Sequence, residues 1–449
     1  MRIFFFMGSK SNKILIRGLS VVLLSILLYS GEAMGSINLS LSDAIRMSEE
    51  HSYAVASSRY DSLSAANGLG AAKSLRFPNL SLNVVSFYTD ELQSIQTPFF
   101  DLELGAHENY QADLNLNLPL YAGGRISGQI RMQRDILAAK GYLLEAARNR
   151  NCYLTRKSYL NLMLAGTIVR SVESSVTRLR LVNKDIVNLY NQGMADSTDL
   201  LEADLALQKI LLALEGKKSA VANASITLKR LIGISLNEDV IPTESPEAPE
   251  FNQYDKGEEL GENPQRAELK SMHSRWQAAK TMAAVSKSDL FPNLGAYFQY
   301  SYGKPNRDFI NDTWNDYWMA GLNLKWTFNL GGREFRRVSS ARESAKSLEM
   351  AARDAEESFT IQSDIAFQNL EFAKKAHDVS RREFEIAELQ YRKAKAKKEA
   401  GTISLNRLLE IESDYTGAEQ TYQASIINYY LAETEYLYAI GSPRLYGGI

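Results

Sequence analysis

The sequence predicts an α+β membrane protein in which very long α-helices join membrane-crossing β-strands, four to a chain. Three observations predict it. First, the 449-residue chain states one structural unit twice. Lys73-Ser-Leu-Arg-Phe-Pro-Asn-Leu80 returns as Lys287-Ser-Asp-Leu-Phe-Pro-Asn-Leu294, and Gly123-Gly124-Arg125 as Gly331-Gly332-Arg333. Gly193, followed by Leu200-Leu201-Glu202, returns as Gly401 with Leu408-Leu409-Glu410, and Ile232-Gly233 as Ile440-Gly441. The last three matches share an offset of 208 residues, so the fold is read from its repeating unit. Second, no proline occurs between Pro119 and Pro242 or between Pro305 and Pro443, which permits unusually long helices. Third, four short segments alternate apolar and polar residues, the period of a strand between two environments.

Taken in order, residues 1–35 read as an export signal. Lys10, Lys13 and Arg17 precede an apolar run from Leu19 to Tyr29, and Ala33-Met34-Gly35 supplies small residues for cleavage. The alternative is a retained N-terminal anchor. The first repeat, 36–233, opens with a helix from Ser42 to about Leu75, capped by Ser40 or Ser42. Strands follow at about 79–88 and 110–120, then helices over 125–192 and about 197–231. Residues 234–263 form an acidic linker: Asn237 to Glu262 carries nine Asp or Glu against one Lys. The second repeat, 264–449, has a helix from Asn263-Pro264 to about Leu290, strands at about 293–302 and 317–330, and helices over 333–400 and about 404–439.

Each long helix is predicted at 68 residues, about 100 Å at 1.5 Å per residue. The second carries Val338, Ala341, Ala345, Leu348, Ala352, Ala355 and Phe359, a 3-4 spacing that marks a coiled-coil seam. Gly193 and Gly401 stop the long helices and begin short turns, so the helices that follow pair antiparallel.

The switches between helix and strand are written in short motifs. Phe77 and Phe291 precede Pro78 and Pro292, and a residue before proline avoids the α region. The prolines then sit at strand starts, where a missing donor is tolerated. Gly123-Gly124 and Gly331-Gly332 permit the return from strand to helix. Tyr88, Tyr110, Trp314, Tyr317, Trp318 and Trp326 lie near strand ends, where interfacial aromatic girdles are found.

Four strands cannot close a barrel, and open sheet edges are forbidden in lipid. Several chains must therefore pool their strands. Eight strands would be filled by side chains, whereas twelve leave a wet lumen that suits the Asn, Ser, Thr and Gln faces. That favours three chains or more. The alternative is a soluble β-sandwich, for which the sequence offers no second sheet.

Composition narrows the chemistry. A formal charge of −2 lacks the concentrated basic face that nucleic acid requires. The single Cys152 excludes an intrachain disulfide and is remote from any lipid-anchor position. His51, His107, His273 and His377 are isolated from one another and from ligand spacings. No metal, cofactor or catalytic residue is expected, and no enzyme.

The order of these motifs, with Leu41-Ser-Asp-Ala-Ile45 and Asn263-Pro-Gln-Arg-Ala-Glu-Leu269 opening the repeats, resembles the TolC-type outer-membrane efflux proteins. The resemblance implies a homotrimer. It implies a twelve-stranded transmembrane β-barrel in the outer membrane, continued by a coiled-coil α-helical barrel as a periplasmic tunnel. It also implies two partners, a periplasmic adaptor and an inner-membrane transporter, and an unlipidated member. By the same resemblance, Gly193, Met194 and Ala195 with Gly401, Thr402 and Ile403 are adaptor-contact tips. Asp199, Glu202, Arg407 and Glu410 then line the periplasmic aperture, although Arg407 stands where an acidic residue is common. Asp199 and Arg407, equivalent in the repeat and opposite in charge, are expected either to latch neighbouring coils or to be two solvated charges. The basic run Arg392, Lys393, Lys395, Lys397 and Lys398 suits either a helix C-terminus or an adaptor contact. The implied function is the exit duct of a tripartite efflux pump. A type I protein-secretion conduit and a soluble periplasmic coiled-coil scaffold are the alternatives.

Overall fold

A computed structural model describes residues 36–96, 98–99, 101–244, 266–308, 310 and 313–447. The expected export signal, and the expected helix start at Asn263-Pro264, lie outside the described residues. A short strand, β1 (Ser36–Leu39), leads into helices α1 (Leu41–His51) and α2 (Tyr53–Ser74). Strand β2 (Asn79–Tyr88) runs out to a small hairpin, β3 (Gln93–Gln96) and β4 (Asp101–Leu104), and β5 (Glu108–Ala122) returns. Helices α3 (Arg125–Asn191) and α4 (Ser197–Ile232) complete the first unit, and β6 (Asp239–Pro242) follows. The second unit is α5 (Ala267–Ser286), β7 (Asn293–Lys304), β8 (Asn315–Lys325), α6 (Arg333–Glu399) and α7 (Leu405–Ile440). The 67 residues of α3 and of α6 give each a length of about 100 Å.

Strands β2, β5, β7 and β8 form one antiparallel sheet in that order. The helices keep the same order beside it. In the half nearer the sheet, α2 packs on α3, α3 on α5 and α5 on α6; in the far half α4 packs on α3, α3 on α7 and α7 on α6. Helix α3 is thus central throughout, and α6 lies at one edge along its whole length. Within α6 the buried positions Val338, Ala345, Ala352, Ala366, Ala373, Ser380, Ala387 and Ala394 keep a seven-residue step. Their small side chains let a neighbouring helix approach closely.

The main core sits where α1, the middle of α3 and the ends of α4 and α7 meet. It contains Leu41, Ile45, Tyr159, Leu160, Leu228 and Ile427. Strands β1 and β6 pair parallel beside it, so part of the expected acidic linker is sheet. Leu39 and Val240 enter the core from these strands, and the Tyr159 hydroxyl donates to the Leu39 carbonyl at 2.9 Å. The C-terminal turn is tied to the same place. Leu445 is buried, and Arg156, 1% exposed, donates to the Gly447 carbonyl at 2.7 Å and to Thr434 Oγ1 at 2.9 Å.

Two expectations need correction. The helix expected from Ser42 to Leu75 is two helices, broken at Ser52, whose φ of −65° and ψ of 113° are extended and whose side chain caps α2 through Val55 N. The strand expected to reach Leu330 ends at Lys325. Its partner β7 begins at Asn293, opposite Lys325, and Pro292 before it has no N–H to offer. Trp326 turns away instead and donates to the Leu290 carbonyl at 3.3 Å.

Candidate channel wall and entrance

Cross-strand register sorts the sheet into two faces. Leu80, Leu116, Phe298 and Ala320 stand in one row, and Leu82, Leu114, Tyr300 and Trp318 in the next. These side chains form an apolar face, along which Leu82, Trp318 and Leu322 are all exposed. The opposite face carries the row Asn83, Asp113, Ser301 and Tyr317 beside Ser81, Asn115, Gln299 and Met319. Here the polar groups bond across strands: Gln299 Nε2 on β7 donates to Asp113 Oδ1 on β5 at 3.4 Å, and Gln111 Nε2, which also donates to Asp113 Oδ1 along its own strand at 3.0 Å, reaches Ser301 Oγ on β7 at 3.4 Å. Near the far rim Trp314 stacks on Tyr302 at 5.1 Å and on Tyr110 at 6.0 Å. Among the described residues both outer strands, β2 and β8, have a sheet neighbour on one side only.

The switch motifs take up the conformations their chemistry allows. Phe77 N donates back to Ser74 O at 3.0 Å, closing the turn after α2. A short 3₁₀ turn, Lys287–Leu290, ends at Phe291, which is extended with φ −105° and ψ 156°. Gly123 and Gly124 both have positive φ, +58° and +83°. A side chain at Gly123 would also fall 2.7 Å from the Ser288 carbonyl and 2.9 Å from Phe291 Cβ. That close approach joins the two switch regions. Of the second pair, Gly331 and Gly332, only Gly332 is left-handed, with φ +68°; Gly331 N donates to Asn329 Oδ1 at 3.0 Å.

At the far end the two turns are built alike. Gly193 (φ +72°) and Gly401 (φ +67°) close their helices. Met194 N bonds Leu189 O, and Thr402 N bonds Lys397 O, both at 2.8 Å. This is the six-to-one bond of a Schellman stop. Three residues beyond each glycine stands a cap: Asp196 accepts from Thr198 N and Asp199 N, and Ser404 accepts from Arg407 N. Met194 is exposed.

Three contacts between α3 and α7 fix the levels of these turns. Arg178 Nε donates to Glu412 Oε1 at 3.0 Å, Ser171 Oγ to Glu419 Oε2 at 2.9 Å, and Arg156 Nε to Thr434 Oγ1 at 2.9 Å. Each step along α3 is matched by an equal, opposite step along α7. Extrapolated downward, Gly193 is level with position 397 of that alignment, so Gly401 stands four residues, about 6 Å, nearer the sheet. The repeat offset made Asp199 and Arg407 equivalent, and this stagger separates their levels. Arg407 is engaged within its own helix by Glu410. Near the tips, Asn406 Nδ2 donates to Glu202 Oε1 across the hairpins at 3.0 Å. Glu202, Glu410, Glu412 and Lys209 line one groove.

Arg178 is the residue that sequence reasoning missed. Besides Glu412 it donates to Thr416 Oγ1 at 2.8 Å, and its guanidinium covers the rings of Tyr415 and Tyr391 at 4.8 and 5.8 Å. Those rings continue a ladder: Tyr391 on Tyr415, Tyr415 on Phe384, Phe384 on Tyr422 and Tyr422 on His377. The signal was present as Tyr415, Tyr422, Tyr429 and Tyr436 at seven-residue steps. Burial holds the His377 imidazole below its ordinary pKa, with Asp378 opposing and Arg381 assisting.

Residues 262–435 match the family model described as outer membrane efflux protein. No curated protein matches the sequence. Among solved structures, the Campylobacter jejuni CmeC outer membrane channel is 16% identical with a TM-score of 0.76, over 89% of this chain and 85% of that one. The Vibrio cholerae outer membrane protein VceC is 15% identical with a TM-score of 0.76, over 90% and 96%. The Neisseria gonorrhoeae MtrE outer membrane channel, in its open state, is 13% identical with a TM-score of 0.74, over 92% and 93%. The family match covers the second repeat, and the fold of the described residues is that of these outer membrane channel structures.

Proposed function

We propose that the chain is one protomer of a trimeric outer-membrane channel-tunnel, the exit duct of a tripartite efflux pump for small molecules. The observation that carries this reading is the sheet of β2, β5, β7 and β8. It has one apolar and one polar face, two open edges, and helices of about 100 Å continuing from it. Among the described residues no helix is long and apolar enough to cross a membrane, so a membrane crossing falls to these strands. An open edge in hydrocarbon leaves backbone groups unsatisfied at several kcal/mol each. Three copies joined edge to edge close twelve strands around a water-filled lumen with Asn83, Asp113 and Gln299 facing it.

The helices then extend through the periplasm, away from the outer membrane. The tips Gly193, Met194, Ala195, Gly401, Thr402 and Ile403 are the surface offered to a periplasmic adaptor, which links the duct to an inner-membrane transporter. Glu202, Asp199, Arg407 and Glu410 surround the entrance. Single-channel recording of the purified full chain in planar bilayers, with SDS–gel mass, tests the reading. It requires SDS-resistant trimers and stable conductance. Monomers without conductance overturn it.

A further inference from the structure

Helices α2 and α4 both pack on α3. Where α2 begins and α4 ends, the chain leaves a groove of about 1220 Å³. Helix α3 contributes Asn151, Leu154, Ser158 and Asn161; the rest of the lining comes from His51 to Tyr53, the last turns of α4 and the segment Gly233 to Leu236. Leu154, Ile226 and Leu236 offer exposed apolar surface to it. Its charge has one sign. Lys157, Lys229 and Arg230 line the groove, and none of the described residues lining it is Asp or Glu.

Two buried groups there fall short of partners. Lys229 is 5% exposed. Its ammonium carries three donors, yet it donates to the Leu236 carbonyl at 3.2 Å and forms no ion pair among the described residues. A buried cation is costly unless a counter-charge meets it. Ser158 is 6% exposed, and its hydroxyl is buried with no hydrogen-bond partner among the described residues, whereas buried polar groups are nearly always satisfied. Cations at the end of α4 also suit the helix dipole. That reason does not reach Lys157 and Ser158, which stand mid-way along α3.

We infer that this groove is a binding site for an amphipathic organic anion, one carboxylate or sulfonate on an apolar body. The head group accepts from the Ser158 hydroxyl and the Lys229 ammonium, and Lys157 and Arg230, both exposed, add charge at the rim. The body covers Leu154, Ile226 and Leu236. An apolar lining with a few convergent polar groups is the usual make-up of a small-molecule site. A neutral or cationic amphiphile would leave Lys229 without a counter-charge. The ligand is a free acid rather than a bilayer lipid. Lys157 stands thirty-two residues past Arg125, where α3 leaves the sheet, so it is about 48 Å beyond the strands. This choice of source rests on the channel reading above; the site itself does not.

Para-benzoylbenzoate, a water-soluble aromatic acid that bonds to neighbouring C–H groups on irradiation, tests this on the purified full chain in detergent, with adducts mapped by peptide mass. Adducts concentrate in 151–161 and 223–236. The methyl ester of the probe and its trimethylammonium counterpart label those segments no more than the rest of the chain. Lys157→Gln with Arg230→Gln, both at exposed positions, lowers the labelling by the acid about tenfold, and Lys157→Arg with Arg230→Lys retains it. Equal labelling by the acid and its ester overturns the anion site and leaves an apolar patch. Labelling that survives the double glutamine substitution overturns the role of these cations. Absence of adducts in both segments, in protein that runs as a trimer and conducts in planar bilayers, overturns the site, with a second copy covering the groove, and leaves the channel reading standing. Monomers without conductance overturn the channel reading, while adducts in the two segments of that same protein uphold the site.

Discussion

Arg178 on α3 donates to Glu412 on α7 at 3.0 Å, and this pair joins the first helical hairpin to the second. Glu412 is buried, and its Oε1 also accepts from Ser175 Oγ at 2.8 Å and Thr416 Oγ1 at 2.9 Å. Arg178 keeps a second carboxylate, Glu419 Oε2, at 3.8 Å, so it is loss of Arg178 that leaves the buried Glu412 charge uncompensated, at a cost of about 3–5 kcal/mol. Arg178→Met should therefore lower stability by about that amount in denaturant titration of the detergent-solubilised protein. Glu412→Leu added to Arg178→Met should recover most of the loss. An additive double mutant would show that the two side chains act separately.

Arg407 and Glu410 form an exposed ion pair at the entrance, so the field of Glu410 is partly offset. In the proposed channel Arg407→Gln should raise cation selectivity, and Glu410→Gln should lower it, through the local field at a narrow ring. Reversal potentials across a salt gradient read both. Movement in the same direction for the two variants would remove these residues from the conducting path.

Cys152 is 1% exposed and its thiol donates to the Leu445 carbonyl at 3.4 Å. Burial pushes its pKa up to about 12, with Arg156 opposing and Glu49 assisting. Only the thiolate reacts. A maleimide at pH 8 should leave the folded protein unmodified and label it fully in denaturant. Rapid labelling of the folded chain would show that the C-terminal turn does not cover this site.

The switch glycines should differ in tolerance. Gly123→Ala adds a Cβ at both a left-handed φ and a blocked position, and should cost more than about 2 kcal/mol. Gly124→Ala and Gly332→Ala meet open space and pay only for the left-handed backbone, about 1 kcal/mol. Gly331→Ala should be nearly neutral. Equal melting temperatures for Gly123→Ala and Gly331→Ala would refute the close approach to Ser288.

Glu268 begins α5 beside Arg266, whose Nη2 lies 2.8 Å away and whose guanidinium is held between Phe359 and Tyr438. Burial would raise the carboxyl, but the hydrogen bond and charge of Arg266 outweigh it and hold it below the ordinary glutamate value. A depressed carboxylate stabilises the fold above its unfolded value of 4.5, and that contribution is lost as pH falls through the lower folded value. Glu268→Gln should cost about 1 kcal/mol at pH 7, and its melting curve should converge with that of the parent as the solution is made acid enough to protonate Glu268 in the folded protein. A difference unchanged by acid would place the cost in packing.

Much of this architecture was legible in the chain because local chemistry sets it. The Phe-Pro-Asn-Leu and Gly-Gly motifs restrict backbone angles within a few residues, proline-free stretches permit helix, and Leu114-Asn-Leu-Asn-Leu alternates whatever surrounds it. The tip turns depend on Gly193 and Gly401, where only a left-handed residue closes the helix. What the tertiary structure decided depends on partners distant in sequence. β8 stops at Lys325 because β7 has no residue left to pair. β1 finds β6 two hundred residues on. Arg178 is half-buried because tyrosine- and carboxylate-bearing turns surround it. The stagger of the two tips, which parts Asp199 from Arg407, comes from how α3 slides against α7. A repeat offset fixes equivalence along the chain, whereas height in the bundle is set by side-chain packing between helices.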